Sequence, residues 1–312
     1  MSKIYNDTRD ATFGELYDIA LSDPNVIVLS ADTGAQMFKE FKKNIPKQFF
    51  NIGVAEQNTI SVAAGLALTN KHVFVFGITN FVTLRCYDQI RIDICTMELP
   101  VTILGMGTGY TYSSDGPTHH MVEDVSIMRA LPGMTIWCPS DYTMTAQMVH
   151  LAHKTPRPSY IRIDKGPFTH IYGNSNHNFG DGLAVLKLGE DLTMVATGIM
   201  VSQALELAGE LEKQGVQAGV VDLYRLKPVN KKLLIEVVRS CQQIVTLEEH
   251  TVLGGLGSIV CEILADSGIL VPVKVFGIPD TYHCEVGSRE MLRSLDGLDI
   301  PSLSKTVLEW MQ

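Results

Sequence analysis

Hydrophobic residues in this chain fall into two patterns that alternate almost from end to end. Short continuous apolar runs occur at 26–32 (VIVLSAD), 49–53 (FFNIG), 72–78 (HVFVFGI), 101–106 (VTILGM), 134–140 (MTIWCPS) and 159–164 (SYIRID). Between them lie amphipathic stretches. At 11–23, Phe13, Leu16, Ile19 and Ala20 share one helical face, and further helices are predicted at 55–70, 84–99, 122–131 and 141–154. Apolar runs without polar alternation are strands buried on both faces, so the pattern predicts parallel sheets covered by helices. The rhythm breaks at 166–181 (GPFTHIYGNSNHNFGD), rich in Gly, Asn and His, which predicts a linker. It resumes with strands at 191–198, 218–224, 242–249 and 271–278, and helices at 202–215, 231–241 and 257–268. The expected architecture is α/β in two domains, 1–166 and 182–312, joined by 167–181.

Size and charge agree with two folded domains. The chain has 312 residues, 46% hydrophobic and 19% charged, enough for two cores and unlike a disordered chain. The net charge is −9 with no basic cluster, which argues against nucleic acid and anionic membranes as partners. No apolar run approaches the roughly 18 residues of a membrane span, and no leader pattern opens the chain, so a cytoplasmic location is expected. Six cysteines without a CxxC pair read as reduced thiols.

Chemistry is expected in the loops beyond the carboxyl ends of the strands. Four stand out: GVAEQN, GITNF, the long GMGTGYTYSSDGPTHHMVED, and EEHTVLGGLGS. Glu56 is the most informative residue. It lies in an apolar run, 50–68, where a strand turns into a helix, and no basic partner is apparent nearby. Burying even a neutral polar group unpaired costs roughly 2–7 kcal/mol, so the acid is expected to serve a ligand. An acid at a helix N-terminus also gains about 0.3–1 kcal/mol from the macrodipole, and position alone does not require a ligand.

Taken in order, GVAEQN with its AAGLAL helix, Phe81, RCYDQIR, SSDGPTHH, VEDVSIMRALPGMTIWCPSD and GGLGS resemble the second half of transketolases, and DGPTHH is also similar to 1-deoxyxylulose-5-phosphate synthase. The resemblance covers nearly the whole chain. It implies a thiamine-diphosphate pyrimidine-binding domain followed by a transketolase C-terminal domain. In that family the glutamate matching Glu56 bonds a ring nitrogen of the cofactor's aminopyrimidine and favours the tautomer that removes the thiazolium proton. Phe81 would stack on the aminopyrimidine; Arg85 and Tyr87, with Asp88 and Gln89, would line the entry or a dimer surface. Asp115 and His119 would meet sugar hydroxyls, with His120 extending the string; a histidine can bond or shuttle a proton near neutral pH. A metal site at His119 and His120 lacks a third ligand nearby.

Two departures from the family stand out. No histidine occupies the place around Gly107 and Thr108. The family's phosphate-gripping arginine is matched by Lys165, with Arg162 three residues earlier. Lysine binds phosphate as a point charge rather than a fork.

The family holds the diphosphate through Mg2+ on a GDG string with a later asparagine. The one GDG here, at 180–182, follows no strand and lies in the linker. Hence no metal ligands are expected on this chain, and the resemblance implies an N-terminal partner subunit that binds Mg2+ and most of the cofactor, in a two-plus-two heterotetramer acting on sugars or sugar phosphates. The GGLGS string is an incomplete nucleotide fingerprint and is read as a turn at a helix start, with Glu248, Glu249 and His250 facing a subunit interface. The alternatives are the beta subunit of a 2-oxo acid dehydrogenase, a deoxyxylulose-phosphate-synthase-like enzyme, and a non-catalytic scaffold.

Overall fold

The computed structural model describes residues 7–166, 168–173, 177–239 and 241–312. In chain order its elements begin α1 (Thr8–Ser22), β1 (Val26–Ser30), α2 (Phe38–Asn44), β2 (Phe49–Asn51), α3 (Glu56–Ala67), β3 (His72–Ile78), α4 (Thr79–Val82) and α5 (Tyr87–Gln89). They continue with β4 (Val101–Met106), α6 (Asp124–Arg129), β5 (Thr135–Trp137), α7 (Tyr142–Lys154), β6 (Ser159–Ile163), β7 (Leu183–Lys187), β8 (Leu192–Ala196), α8 (Met200–Glu212), β9 (Ala218–Leu223) and β10 (Arg225–Lys227). The last are α9 (Lys231–Val238), β11 (Ile244–Thr251), α10 (Leu256–Asp266), β12 (Val273–Ile278), α11 (Arg289–Leu295) and α12 (Ile300–Met311).

These elements form two compact units. The first takes residues 7–108 and 127–180, the second 109–126 and 181–312. The first unit includes the stretch up to 180, and the second includes 109–126 from the first half of the chain. Within the stretch read as a linker, 167 and 174–176 lie outside the described residues.

Strands of the first unit lie in the order β5-β6-β4-β3-β1-β2, all parallel. Every residue of β1, β4 and β6 is buried, as their unbroken apolar runs require. The order reverses at β1, with β2 on one side and β3 on the other, and this creates a crevice outside the carboxyl ends of those strands. Rings of Phe13, Phe38 and Phe76 meet edge to face at 4.6–5.8 Å beneath it. Asp7 caps α1 through the N–H groups of Arg9 and Asp10. Asp141, fully buried, caps α7 through Met144 and also accepts the N–H groups of Ile171 and Tyr172 at 3.0 Å, which pins the chain leaving the unit.

The helix predicted at 84–99 is not continuous. A single turn, α5, gives way to a π-helical stretch, Ile90–Cys95, a form often found beside functional sites. The second unit places its strands in the order β12-β11-β8-β9-β7, parallel except for β7, which runs antiparallel to β9. The unpredicted β7 is an edge strand whose burial fades along its length, so it lacks the continuous apolar signature. Also unpredicted are α2, α11 and α12.

Candidate functional site

Three loops shape the crevice of the first unit. Asp32, just past β1, adopts a left-handed conformation at φ +54. It exchanges hydrogen bonds with Asn51 at the end of β2: its N–H donates to Asn51 Oδ1 and its Oδ1 accepts from Asn51 Nδ2, both at 3.1 Å. The same Asn51 Oδ1 accepts the Gly53 N–H at 2.9 Å. Gly53 itself sits at φ +84, where a side chain is strained. This arrangement turns the chain sharply into α3, whose first residue is Glu56.

Glu56 is 5% exposed. The sequence-based expectation that it lacks a basic partner is incorrect. Arg85 Nη1 donates to Glu56 Oε2 at 2.8 Å, and the same guanidinium lies 4.3 Å from the centroid of the Phe81 ring. Gln57, the neighbour of Glu56, donates to the Arg85 carbonyl at 3.1 Å and fastens α3 to this segment. Gly77 lets the Phe81 segment close onto β3, since a Cβ there would lie 2.3 Å from Val82 Cγ1. Cys86 Sγ donates to the Phe81 carbonyl at 3.0 Å; burial, and then the charge of Glu56, push its thiol up to about 12 against the opposing Arg85. Glu56, Phe81 and Arg85 thus come together on one short path.

Other predicted residues of this unit stand apart from that trio. The Tyr87 hydroxyl donates to the Ile127 carbonyl at 2.9 Å, and burial raises its pKa. It braces the backbone rather than offering its hydroxyl to a ligand. Arg162 is 5% exposed within β6 and directs Nη1 toward Cys138 Sγ at 3.9 Å, because a central strand turns its side chains into the helical layers. A grip on a substrate phosphate from there is not presented at the surface. Lys165, past the end of β6, is exposed.

Asp115, His119 and His120 belong to the second unit. Asp115 is exposed, His119 half-buried with its Nδ1 3.0 Å from Thr118 Oγ1, and His120 buried edge-on to Tyr110. Burial lowers the pKa of His120, with nearby His283 adding to the effect. The loop carrying them is fastened at both ends. The Tyr110 N–H donates to Glu249 Oε1 at 2.8 Å, and the Tyr110 hydroxyl to Asp296 at 2.7 Å, an acceptor shared with His283 at 2.6 Å. Asp296 and Glu285 raise the pKa of His283 against the opposing effect of burial. At the far end Thr251 N–H bonds the Val122 carbonyl, and the Ser126 N–H donates to His250 Nε2.

Glu249 is the hub. Burial would raise its pKa, but Arg289 and Arg293, with the Tyr110 N–H, hold it at about 2. Arg289 binds both carboxylate oxygens, and Arg293 donates to Oε2. Glu248, its neighbour, accepts the N–H groups of Leu256 and Gly257 at 2.6 and 2.8 Å and caps α10. Glu248, Glu249 and His250 therefore do not face outward, as the sequence led us to expect; each is about 1% exposed inside the unit. The GGLGS string makes the turn that permits this, since a Cβ on Gly255 would lie 2.0 Å from Glu248 Oε2. In the Gly-Asp-Gly string, the Asp181 carbonyl accepts from Arg225 and Asn230, and Gly182 packs against the Arg225 guanidinium. Among the described residues no group of three His, Cys, Asp or Glu is placed to hold a metal ion, and no helix is long and apolar enough to cross a membrane.

Residues 5–169 match the family model for the transketolase pyrimidine-binding domain, and residues 181–303 match that for the transketolase C-terminal domain. The chain belongs to the transketolase family. It is 35% identical to one subunit of the apulose-4-phosphate transketolase of Phocaeicola vulgatus over 95% of both chains. A solved split-gene transketolase, described as an inactive beta4 tetramer, is 36% identical and superposes with a TM-score of 0.86 over 97% of each chain. Similarity extends to the 1-deoxy-D-xylulose-5-phosphate synthase of Caldanaerobacter subterraneus, 32% identical over 97% of this chain but 49% of that protein. This transketolase chain thus covers 95% of that apulose-4-phosphate subunit but about half of that synthase. Sequence reasoning missed Asp32 and Asn51, which aim the transketolase AEQ loop, and the Glu249 clamp. The glycines at 53 and 255 were the local signals; the partners lie too far along the chain to be read from spacing.

Proposed function

We propose that this chain is the C-terminal subunit of a split, thiamine-diphosphate-dependent transketolase that moves a two-carbon ketol unit between sugars bearing an anionic group. The observation that carries this reading is the pairing of Glu56 with Phe81. A planar, cationic N–H donor, the Arg85 guanidinium, already lies against both, so the two residues fit a flat heterocycle that offers a ring nitrogen proton to a carboxylate. When bound, thiamine diphosphate supplies the carbon nucleophile that takes up the ketol unit.

Glu56 holds a proton on the aminopyrimidine ring nitrogen. Its enclosure strengthens that hydrogen bond. Phe81 covers the ring and excludes water. Asp115 accepts a hydrogen bond from a sugar hydroxyl, and His119 bonds hydroxyls near the reacting carbon and carries protons there. His120, kept neutral by burial, can donate and accept in the same loop. Lys165 meets the substrate's anionic end as a point charge. The diphosphate and its Mg2+ fall to an N-terminal partner subunit in a two-plus-two assembly: the Gly-Asp-Gly string of this chain is committed to a turn against Arg225, whereas Mg2+ requires free oxygen ligands.

The test is ketol transfer from a ketose phosphate to an aldose by the chain with its partner subunit. Glu56→Gln should lower kcat about 100-fold or more, in line with the loss of a general acid–base group. Unchanged turnover refutes the reading. The DGPTHH string, together with the likeness to a deoxyxylulose-phosphate synthase, favours one second reading, a synthase-like reaction, which an assay for 1-deoxyxylulose 5-phosphate formation by the same complex separates from ketol transfer.

A further inference from the structure

Arg85 holds at once the two surfaces assigned to the aminopyrimidine, the Glu56 carboxylate at 2.8 Å and the Phe81 face at 4.3 Å. Its guanidinium reproduces the required features: planar, charged, and an N–H donor at one edge. The backbone beneath is fixed, because the Arg85 carbonyl accepts from Gln57 and its N–H donates to the Asn80 carbonyl at 3.3 Å. The side chain is open to solvent. It is 45% exposed while that of Glu56 is 6% exposed, so the latch lies on the solvent side of the carboxylate it covers. From this geometry, and resting on the cofactor reading above, we propose that Arg85 is a displaceable surrogate for the aminopyrimidine, which must turn out to solvent before thiamine diphosphate can engage Glu56 and Phe81.

Such a latch serves two ends. It gives the buried carboxylate a counter-charge and keeps the Phe81 face covered, which together hold the crevice in its binding shape. It also taxes affinity, because the observed Kd is the intrinsic one divided by the fraction of molecules with Arg85 turned out. A half-exposed ion pair and a partly hydrated cation–π contact are each modest, and together they correspond to roughly a tenfold tax.

The experiment measures the Kd of thiamine diphosphate with Mg2+ for the full chain in complex with its partner subunit, using calorimetry, for wild type, Arg85→Ala, Arg85→Lys and Glu56→Gln. Arg85→Ala should tighten binding about tenfold. Arg85→Lys, which keeps the charge but not the flat fork, should tighten it two- to threefold, and it decides the matter if circular dichroism shows the alanine variant misfolded. In the Glu56→Gln background the gain from Arg85→Ala should shrink to about twofold or less. Binding by the arginine variants that is equal to or weaker than wild type overturns the surrogate role. If instead Glu56→Gln leaves both Kd and turnover unchanged, the cofactor reading itself falls.

Discussion

Glu249→Gln removes a charge that two arginines and a backbone amide converge on. The side chain of Glu249 is 1% exposed, and those of Arg289 and Arg293 are 12% and 7%. Truncating one partner of a buried pair costs about 3–5 kcal/mol, because the other charges are left without compensation. The lowered pKa of the acid points to a figure of the same order. A carboxyl held at about 2 in the folded unit, against 4.5 unfolded, stabilises the folded state by roughly 3 kcal/mol at 1.36 kcal/mol per unit. Since the folded pKa is depressed, that stabilisation is present above pH 4.5 and is lost as pH falls toward 2. The amide version should therefore unfold about 3 kcal/mol more easily at neutral pH in denaturant titrations, and the wild type should approach it near pH 2. Held by a neutral amide oxygen in place of a carboxylate, the Tyr110 N–H should exchange its hydrogen faster, and the loop holding Asp115 and His119 should loosen, raising KM for sugars more than it lowers kcat. A loss below about 1 kcal/mol, or equal protection of the Tyr110 amide, would refute the assignment of Glu249 as the anchor of that loop.

Two further outcomes follow from the structure. His72, buried against His153 and depressed to about 4 by burial first and then by that neighbour, is neutral in both states above pH 6.5; unfolding takes up a proton below it, so stability should fall by roughly 3 kcal/mol between pH 6.5 and 4, and His72→Phe should flatten that slope in acid titrations followed by circular dichroism. Gly255→Ala forces Glu248 off the amides of Leu256 and Gly257, which should cost about 2 kcal/mol in denaturant titrations, whereas Gly209→Ala, where nothing lies within 4 Å of the added Cβ, should not destabilise.

The architecture was legible because the β-strands announce themselves. VIVLS, HVFVFGI and VTILGM are continuous apolar runs, and all but Ile78 at their ends are buried. Where that signal thins, the reading failed. The edge strand β7 loses its burial along its length, and α5 was merged with a π-helical stretch that no spacing rule marks. The reach of a long loop was equally hidden. Residues 109–126 sit in the first half of the chain, yet their anchor, Glu249, lies 139 residues beyond Tyr110. Glu56 was recognised as expensive, but its partner Arg85 is 29 residues away, where charge pairing cannot be read from a linear sequence. The residue type that chemistry needs was visible; the groups that hold it were not.

Two buried glutamates that pair with arginine, Glu56 and Glu249, are answered in opposite ways, and the difference follows from solvent. Around Glu249 both guanidinia are enclosed, water cannot take their place, and the clamp releases only at the cost of unfolding. Around Glu56 the single guanidinium is half in solvent, so water can receive it when it turns away, and the pair holds by no more than about 1 kcal/mol. A ligand supplying its own donor and its own flat face can displace such a partner; nothing of ordinary affinity displaces the other. Burial of the arginine, rather than of the glutamate, therefore separates the acid that shapes the fold from the acid available for chemistry.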